Sequence, residues 1–345
     1  MQTTLTEHEI RQALSKVPYP GFTRDIVSFG IVRDITIDRE IVVQLVIATN
    51  DTGVATELRN RVLKELTSLW GNLPSRVLVD VQAPVQATPQ AAIPINGVRH
   101  VIAIASGKGG VGKSTVSVNL AAALSREGLS VGLCDCDLYG PSVALMCGAK
   151  ERPSADERGM ITPPEHHGLK IMSMGLLLED GSPAVLRGPM VTRYTQQFLR
   201  NVDWGSLDVL LLDLPPGTGD IQLTIVQTVA LTGVVIVTTP QEVALIDARK
   251  AVSMFQKTNV PILGIVENMS YFQVPGEETR HEIFGAGGGA MEALRLGVPY
   301  LGGLPLEPRL RMASDNGTPL VLSEPEARVS IMFREAACAL LPVIK

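Results

Sequence analysis

Residues 98–115 read VRHVIAIASGKGGVGKST, and this stretch decides the fold of the chain. An apolar run over 98–105 is followed at once by the pattern G-x-x-x-x-G-K-[ST], which extends from Gly107 to Ser114. The segment after it is rich in alanine, which is typical of a helix. Glycines in such a loop let backbone N–H groups fold around phosphates, and the helix N-terminus adds positive partial charge. The stretch therefore predicts a P-loop between a buried strand and a helix, the alternative being a glycine-rich turn that matches by chance.

The P-loop pattern assigns roles to individual residues. The Lys113 ammonium is expected to reach the β- and γ-phosphates of ATP, and the Ser114 hydroxyl is expected to bind Mg²⁺. Thr115 could add a hydrogen-bond donor near the α-phosphate. The residues of this loop that are expected to bind ATP are Gly107, Lys108, Gly109, Gly110, Val111, Gly112, Lys113, Ser114 and Thr115.

Acidic residues follow two further apolar runs. Asp137 comes after the strand predicted over 130–134, and Asp213 ends the strand predicted over 209–213. Carboxylates at the carboxyl ends of parallel strands lie on the edge of the sheet where ligands bind. Asp137 is therefore expected to orient the attacking water and Asp213 to hold Mg²⁺ through water, while Gly217 could present its N–H to the γ-phosphate. A helix N-cap is the alternative for either aspartate alone.

From residue 98 onward, apolar runs alternate with amphipathic stretches. This alternation indicates right-handed βαβ units and an α/β fold with a doubly wound parallel sheet. The predicted strands cover 98–105, 130–134, 170–174, 209–213, 234–238, 262–266 and 300–304. The predicted helices cover 114–126, 191–200, 221–231, 243–258, 288–296 and 326–341.

A small α+β domain is predicted to precede the P-loop domain. Its helices are predicted over 7–14 and 54–69, and its strands over 26–29, 31–37, 41–48 and 77–81. The residues at helical spacing in the second helix are Val54, Leu58, Val62, Leu66 and Leu69. The next segment is rich in proline, alanine and glutamine, which is typical of an extended linker. The predicted boundaries are 1–81 for the small domain, 82–97 for the linker and 98–345 for the P-loop domain.

The composition of the 345 residues limits the class of protein. Hydrophobic residues make up 45% and the mean hydropathy is +0.21, which invites a membrane interpretation. The longest apolar runs, 207–214 and 229–237, are far shorter than the roughly 20 residues that span a bilayer. The first residues lack the basic and apolar regions of a secretory signal, and the net charge of −5 argues against nucleic-acid binding. A cytoplasmic protein without membrane or nucleic-acid partners is expected.

Several strings together resemble one family. They are GKGGVGKST, DCDLYGPS, RGPM at 187–190, DLPPGTGD, TTPQEVALIDARK, ENMSYF and HEIFGAGGG. Over residues 99–341 the chain is similar to the Mrp/ApbC family of P-loop ATPases, the iron–sulfur cluster carrier proteins. Residues 1–81 resemble the small iron–sulfur assembly domain that often precedes this ATPase. The combination of DLYGPS, RGPM and ENMSYF is more specific than the P-loop, which only narrows the class.

The resemblance implies an ATPase with the deviant Walker A, MinD-like fold that hydrolyses ATP slowly and acts in iron–sulfur cluster assembly or transfer. Lys108 matches the extra lysine that in this class reaches across a dimer interface to the partner's nucleotide. A nucleotide-gated homodimer is therefore implied, and a solvated loop lysine is the alternative. By the same resemblance Asn268 would bind the adenine, or it would brace a loop as a buried side chain. The implied partners are iron–sulfur scaffold proteins or apo-protein clients.

The sequence departs from the family at the expected cluster ligands. The family usually carries C-P-x-C directly after its ENMSYF-like segment, whereas this chain has Val274, Pro275, Gly276 and Glu277. Valine cannot ligate a metal, and glutamate is a hard ligand that is poorly matched to a cluster. Residues 49–53 of the small domain read TNDTG where relatives often have a reactive cysteine. A cluster is thus expected from the family, while its usual ligands are absent.

Four cysteines remain, and a cytosolic chain is expected to keep them reduced. Cys134 and Cys136 flank Asp135 and are predicted to point to the same face. Cys134 is expected in the core, and Cys136 is expected to be more exposed beside the nucleotide. Structural roles are favoured for the other two cysteines, and a solvated loop is favoured over a metal site for His166-His167.

Two other functions are weighed against the carrier interpretation. A MinD- or ParA-like positioning ATPase of the membrane form would end in a basic amphipathic helix. The helix predicted over 326–341 carries few charges, is expected to end at Pro342 and suits docking on the domain better. A scaffold with a degenerate nucleotide site is favoured least, because every residue expected to handle phosphate and Mg²⁺ is present.

Overall fold

The computed structural model of the protein describes residues 5–20, 25–28, 30–48, 52–71, 73–82, 92–138, 140–157, 159–176 and 199–345. The chain divides into two compact units, Met1–Pro89 and Gln90–Lys345.

The first unit packs two helices against a three-stranded sheet. Its elements are α1 (Glu7–Leu14), β1 (Val32–Ile37), β2 (Ile41–Ala48), α2 (Thr52–Trp70) and β3 (Ser75–Gln82). β2 lies in the centre, antiparallel to β1 and parallel to β3. The predicted helical spacing is confirmed for Leu58, Val62 and Leu66, which are buried in the apolar core, whereas Leu69 is 47% exposed.

The strand predicted over 26–29 is wrong for the described part of that segment. The Asp25 carboxylate accepts hydrogen bonds from the backbone N–H groups of Val27 (3.0 Å) and Ser28 (2.8 Å). Such side chain-to-backbone bonds compete with sheet pairing and fold the segment into a turn. Ile26 is nevertheless buried in the core of the unit. Ile26 therefore contributes to the core from a turn rather than from the predicted strand.

The second unit contains the predicted doubly wound sheet and, among the described residues, two short strand pairs beside it. Its strands are β4 (Val98–Ala105), β5 (Val131–Asp135), β6 (Ser154–Ala155), β7 (Ile161–Thr162), β8 (Glu165–His166), β9 (Leu169–Ser173), β10 (Leu207–Asp213), β11 (Gly233–Thr238), β12 (Ile262–Glu267), β13 (Phe272–Gln273), β14 (Arg280–His281) and β15 (Tyr300–Gly303). The order of the eight-stranded sheet is β15–β12–β11–β4–β10–β5–β9–β8, and the two short pairs are β6–β7 and β13–β14. Only β8 is antiparallel to its neighbour in this sheet. The predicted α/β class is confirmed.

Helices cover both faces of this sheet. They are α3 (Lys113–Arg126), α4 (Val143–Met146), α5 (Asp220–Thr228), α6 (Glu242–Lys257), α7 (Gly288–Leu296), α8 (Pro308–Asp315), α9 (Leu320–Ser323) and α10 (Arg328–Ile344). Ile102 and Ile104 of β4 pack in one apolar cluster with α3 and α10, whereas Val101 and Ala103 pack in a second cluster with α6. Successive strand residues point to opposite faces, so the sheet is buried on both sides. Among the described helices, none is both long enough and apolar enough to cross a bilayer.

One predicted helix ends earlier in the structure, and another lies almost wholly outside the described residues. α5 ends at Thr228 rather than at residue 231, because Val229 is extended (φ −112°, ψ 132°) and pairs with Ile93. The helix predicted over 191–200 lies almost wholly outside the described residues, as does the RGPM segment at 187–190.

The C-terminal helix α10 continues past the residue predicted to end it. Pro342 lies inside the helix, which extends to Ile344. A proline removes one helical hydrogen bond, but Leu340 and Ile344 on either side of it are buried in the core. Burial of this last turn outweighs the lost bond. The predicted docking of the helix on the domain is confirmed by its packing against α3.

Candidate nucleotide-binding site

The P-loop joins β4 to α3 at the carboxyl edge of the sheet, which is where ligands bind in doubly wound folds. It opens onto a cavity of about 230 Å³. The residues that line the cavity are Ser106, Lys108, Gly109, Gly110, Val111, Gly112, Lys113, Ser114, Thr115, Asp137, Ser142, Met146 and Pro216. The structure thus brings most of the predicted P-loop residues and Asp137 together. The predicted residues outside this lining, all of them described, are Gly107, Asp213, Gly217 and Asn268.

Two glycines give the loop its backbone path. Gly110 (φ +81°) and Gly112 (φ +78°) adopt the left-handed conformation that glycine adopts without a steric penalty. Gly107 is required for a different reason, since a Cβ built on it would overlap the backbone of Asp247 on α6. Close approach of the loop to α6 therefore depends on the missing side chain of Gly107.

The Asp213 carboxylate contacts three side chains from the first turns of α3. Its Oδ1 lies 2.6 Å from Lys113 Nζ and accepts a hydrogen bond of 2.6 Å from Ser117 Oγ, while its Oδ2 accepts one of 2.6 Å from Ser114 Oγ. Asp213 and Lys113 are both buried, and a buried carboxylate needs such compensation by charge and hydrogen bonds. Ser117 was missed in the sequence, although it lies four residues after Lys113 and therefore on the same helix face.

Ser114 and Asp213 suit the magnesium ion that the P-loop pattern implies. Both offer hard oxygen donors, which Mg²⁺ prefers, and the two side chains already meet at Ser114 Oγ and Asp213 Oδ2. Asp213 is held in orientation by Lys113 and Ser117. The donor set therefore fits Mg²⁺, and the metal role of these two residues stays a prediction.

The loop after β5 supplies the opposite wall of the cavity. Asp137 is half-buried there, and its Oδ1 accepts a hydrogen bond of 3.3 Å from the Gly140 N–H. The carboxylate of Asp135, at the end of β5, is buried and pairs in register with Asp213 of β10. Burial, followed by the negative charge of Asp213, raises the pKa of Asp135 to about 7. Asp135 received no role from the sequence.

Lys108 lies half-buried on the cavity lining. The Ser106 hydroxyl donates a hydrogen bond of 3.0 Å to the Lys108 carbonyl, which fixes the backbone that carries the ammonium group. Ser106 also accepts, at its own carbonyl, a hydrogen bond of 2.9 Å from the N–H of Gly217. The predicted contact between Gly217 and the γ-phosphate therefore requires this bond to be exchanged, and it stays a prediction.

Asn268 braces the P-loop from the end of β12. Its side-chain Nδ2 donates a hydrogen bond of 2.9 Å to the Val111 carbonyl, and its backbone N–H donates one of 2.8 Å to Thr238. The side chain also fills the space that a Cβ on Gly112 would need. Asn268 was expected either to bind the adenine or to brace a loop, and the structure shows it bracing the loop. A contact with adenine stays a prediction.

Three of the four cysteines are buried, and one prediction about them is wrong. Cys134 and Cys136 do point to the same side, with their Sγ atoms 3.9 Å apart. Cys136 was expected to be more exposed, but it is only 1% exposed, because its N–H donates to the Asp213 carbonyl and keeps the chain beside β10. Cys147 is also buried, and burial raises the pKa of its thiol to about 12. Cys338 is exposed on α10.

The segment expected to hold a cluster contains a plain turn. Glu277 N–H donates a hydrogen bond of 3.0 Å to the Val274 carbonyl.

The two neighbouring histidines bind protein groups. His166 pairs with Glu151, and His167 Nε2 lies 3.1 Å from the Gly317 carbonyl. Among the described residues, no three His, Cys, Asp or Glu side chains form a group that could hold a metal ion. All four cysteines are described, and none of them lies at residues 274–277, where the family usually carries its cluster ligands.

Comparisons with known proteins identify the families that this chain matches. Residues 97–341 match the family described as NUBPL iron-transfer P-loop NTPase, and residues 7–92 match the family described as Iron-sulfur cluster assembly protein. The chain is 45% identical over 331 residues to an iron–sulfur cluster carrier protein of Deinococcus radiodurans, covering 94% of this chain and 92% of the relative. It is 43% identical over 320 residues to a protein of that name in Aquifex aeolicus, covering 85% of this chain and 86% of the relative.

Solved structures show the same fold. A nucleotide-binding protein of Archaeoglobus fulgidus in complex with ADP superposes with a TM-score of 0.60 and is 36% identical, covering 69% of this chain and 93% of that one. The cell division ATPase MinD of Pyrococcus furiosus superposes with a TM-score of 0.53 at 22% identity, covering 71% of this chain and 99% of that one, and this likeness shows the fold alone. The sequence strings, the geometry of the P-loop and the match over residues 97–341 agree, and the chain belongs to the NUBPL iron-transfer P-loop NTPase family.

Proposed function

We propose that this P-loop NTPase binds ATP with Mg²⁺, hydrolyses it slowly as a homodimer and acts in iron–sulfur cluster assembly or transfer. One observation carries the proposal: Asp213 holds Lys113, Ser114 and Ser117 at the base of a cavity whose opposite wall presents Asp137. These are the cation, the oxygen ligands and the carboxylate that phosphoryl transfer needs. The names of the carrier relatives support the iron–sulfur role.

The proposed reaction uses each of these groups at a stated atom. The Lys113 ammonium neutralises charge on the β- and γ-phosphates, and backbone N–H groups of the P-loop hold the phosphate oxygens. Mg²⁺, when bound at Ser114 and Asp213, supplies further charge neutralisation. Asp137 orients a water whose oxygen attacks the γ-phosphorus as the bond to the β–γ bridging oxygen breaks. The water's proton passes to Asp137 and then to solvent, and the products are ADP and phosphate.

Lys108 is the residue proposed to act between two copies of the chain. Replacing it with alanine is expected to leave ATP binding within about threefold of the parent, because Lys113 and the loop N–H groups remain. The rate of phosphate release should fall by about tenfold or more, since a cation supplied across an interface stabilises transition-state charge. Equilibrium binding of ATP and steady-state hydrolysis measure the two effects, and sedimentation in the presence of ATP and Mg²⁺ measures the association of two copies. The matched control is Lys257→Ala at the exposed end of α6, and equal rates for the two variants would remove Lys108 from the proposal.

Carrier function in this chain cannot use the family's usual thiolates, because the Val274–Glu277 turn has none. After anaerobic reconstitution with iron and sulfide, the wild-type protein is expected to remain free of the visible absorption of a cluster and to contain iron well below one atom per chain. The double variant Val274→Cys/Glu277→Cys restores the C-P-x-C spacing and is expected to acquire that absorption. A strongly coloured wild-type protein would contradict the assignment and indicate another ligand set.

The positioning-ATPase alternative receives no support from the described residues. Its membrane form requires an available C-terminal helix, yet α10 buries Phe333, Ala337 and Leu340 in the core. The similarity to MinD at 22% identity shows the fold and indicates nothing about function. The hypothesis of a degenerate nucleotide site is likewise unsupported, because Lys113, Ser114 and Asp213 are in mutual contact.

A further inference from the structure

Two buried carboxylates stand side by side at the carboxyl edge of the sheet. Asp213 ends β10 and Asp135 ends β5, and the two residues are paired in register. The oxygens of Asp213 are taken by Lys113, Ser114 and Ser117 of the P-loop and α3. Asp135 forms a separate set of bonds. The two carboxylates therefore organise different walls of the same cavity.

Asp135 ties together both ends of the loop that follows it. Its Oδ1 accepts a hydrogen bond of 3.1 Å from the backbone N–H of Asp137. Its Oδ2 accepts one of 2.9 Å from the N–H of Ser142 and one of 3.1 Å from the N–H of Val143. The Ser173 hydroxyl on β9 donates a further bond of 3.1 Å to the same oxygen. One carboxylate thus fixes residues 137, 142 and 143 relative to the sheet.

This arrangement is more than ordinary core packing. Asp135 is 1% exposed, and a carboxylate in that position is costly unless it accepts several hydrogen bonds. An apolar residue would satisfy the core at lower cost, but it would leave three backbone N–H groups of the loop without their acceptor. Asp137 and Ser142 both line the nucleotide cavity. The bonds of Asp135 therefore end on two residues that face the nucleotide.

We propose that Asp135 is a positioning residue for ATP hydrolysis, which holds the Asp137 carboxylate at the place where the attacking water must be oriented. The inference rests on the proposed ATPase function. Asp135 acts through Asp137 and not on the nucleotide, so its loss should change the rate of the chemical step and not the affinity for ATP.

The variant Asp135→Asn tests this role at nearly constant side-chain size. The amide replaces one accepting oxygen by an NH₂ group, which cannot accept a hydrogen bond from a backbone N–H. A displacement of about 1 Å at a catalytic group can lower the rate by about 100-fold, so kcat should fall by that order while the KM for ATP stays within about threefold. A matched fall in ATP affinity and kcat would overturn the proposal, because it would indicate general damage to the cavity.

Two further experiments distinguish a positioning role of Asp135 from a purely structural role. In the Asp137→Asn background, Asp135→Asn should cost no further loss of kcat, since residues that act through one group are not additive. Additive losses would overturn the proposal. Hydrogen–deuterium exchange of residues 136–143 should be faster in Asp135→Asn than in the parent, and unchanged exchange would also overturn it.

The experiments distinguish failure of the proposed ATPase function from failure of the positioning role of Asp135. If the wild-type protein releases no phosphate from ATP, the proposed function fails, and the exchange of residues 136–143 alone decides whether Asp135 positions the loop. If Asp135→Asn does not fold, Ser173→Ala takes its place, because it removes one bond to Asp135 and leaves the backbone donors. A severalfold lower kcat at constant KM then supports the proposal, and a wild-type kcat contradicts it.

Discussion

Replacing Lys113 with alanine is expected to abolish nucleotide binding and ATP hydrolysis, with at least a hundredfold loss of affinity for ATP. The ammonium lies at the first residue of α3, is 7% exposed and contacts Asp213 Oδ1 at 2.6 Å. No other described lysine or arginine forms an ion pair with Asp213. Removing Lys113 therefore leaves a buried carboxylate without its counter-charge, and it removes the cation proposed to bind the phosphates.

The loss of the counter-charge to Asp213 needs its own control. Breaking a buried ion pair by removing one partner typically costs about 3–5 kcal/mol of folding free energy, so the single variant could lose ATP by unfolding. The double variant Lys113→Ala/Asp213→Asn removes both charges and should recover much of the thermal stability without recovering ATP affinity. Thermal denaturation and equilibrium binding of a fluorescent ATP analogue measure the two quantities. Near-parental affinity in a folded Lys113 variant would refute the phosphate role.

Replacing Gly112 with alanine is expected to weaken both the binding of ATP and the stability of the fold. Gly112 has φ +78°, and a left-handed conformation costs an ordinary residue about 1–2 kcal/mol. A Cβ there would also overlap the Asn268 Nδ2 that braces the loop through Val111. The brace or the loop must therefore move, and we expect a loss of ATP affinity of about tenfold or more together with a lower unfolding temperature.

Gly110 offers a matched control within the same loop. It has φ +81°, but a Cβ on it would meet no atom within 4 Å. Gly110→Ala therefore carries the backbone strain without the overlap, and it should lower stability less than Gly112→Ala. Adding Asn268→Ala to Gly112→Ala removes the overlapping atom and should restore part of the stability. Identical behaviour of the two glycine variants in thermal denaturation would show that the overlap is unimportant.

The parts of the site that follow from local sequence were predictable. The P-loop glycines and Lys113 occupy consecutive positions between a strand and a helix, so their spacing alone indicates phosphate binding. Asp137 and Asp213 follow apolar runs, and parallel strands end at one edge of a sheet. The chain alternates strand and helix over a long distance, so the fold class could be predicted with few errors.

The parts that depend on three-dimensional neighbours were not predictable. Ser117 and Asp135 matter because of bonds to residues distant in sequence or in a following loop. The spacing of Ser117 from Lys113 places it on the same helix face, but it does not indicate the bond to Asp213. Cys136 appeared accessible from its place in a ligand-facing motif, yet the backbone bond to Asp213 keeps it inside. The turn at Asp25 replaced a strand because one carboxylate bonded to its own backbone. Residue propensities and hydrophobic periodicity do not predict any of these contacts.

The sheltered cysteines have a consequence for the chemical durability of the protein. Oxidants attack the thiolate form of an accessible cysteine. The hydrogen bond with Cys136, followed by burial, raises the pKa of Cys134, and burial raises the pKa of Cys147. Cys136 is enclosed beside Cys134. Peroxide that would destroy a solvent-facing cluster therefore finds a single accessible thiol, Cys338, far along the sequence from the P-loop. Burial therefore protects three of the four thiols of the P-loop NTPase unit from oxidation.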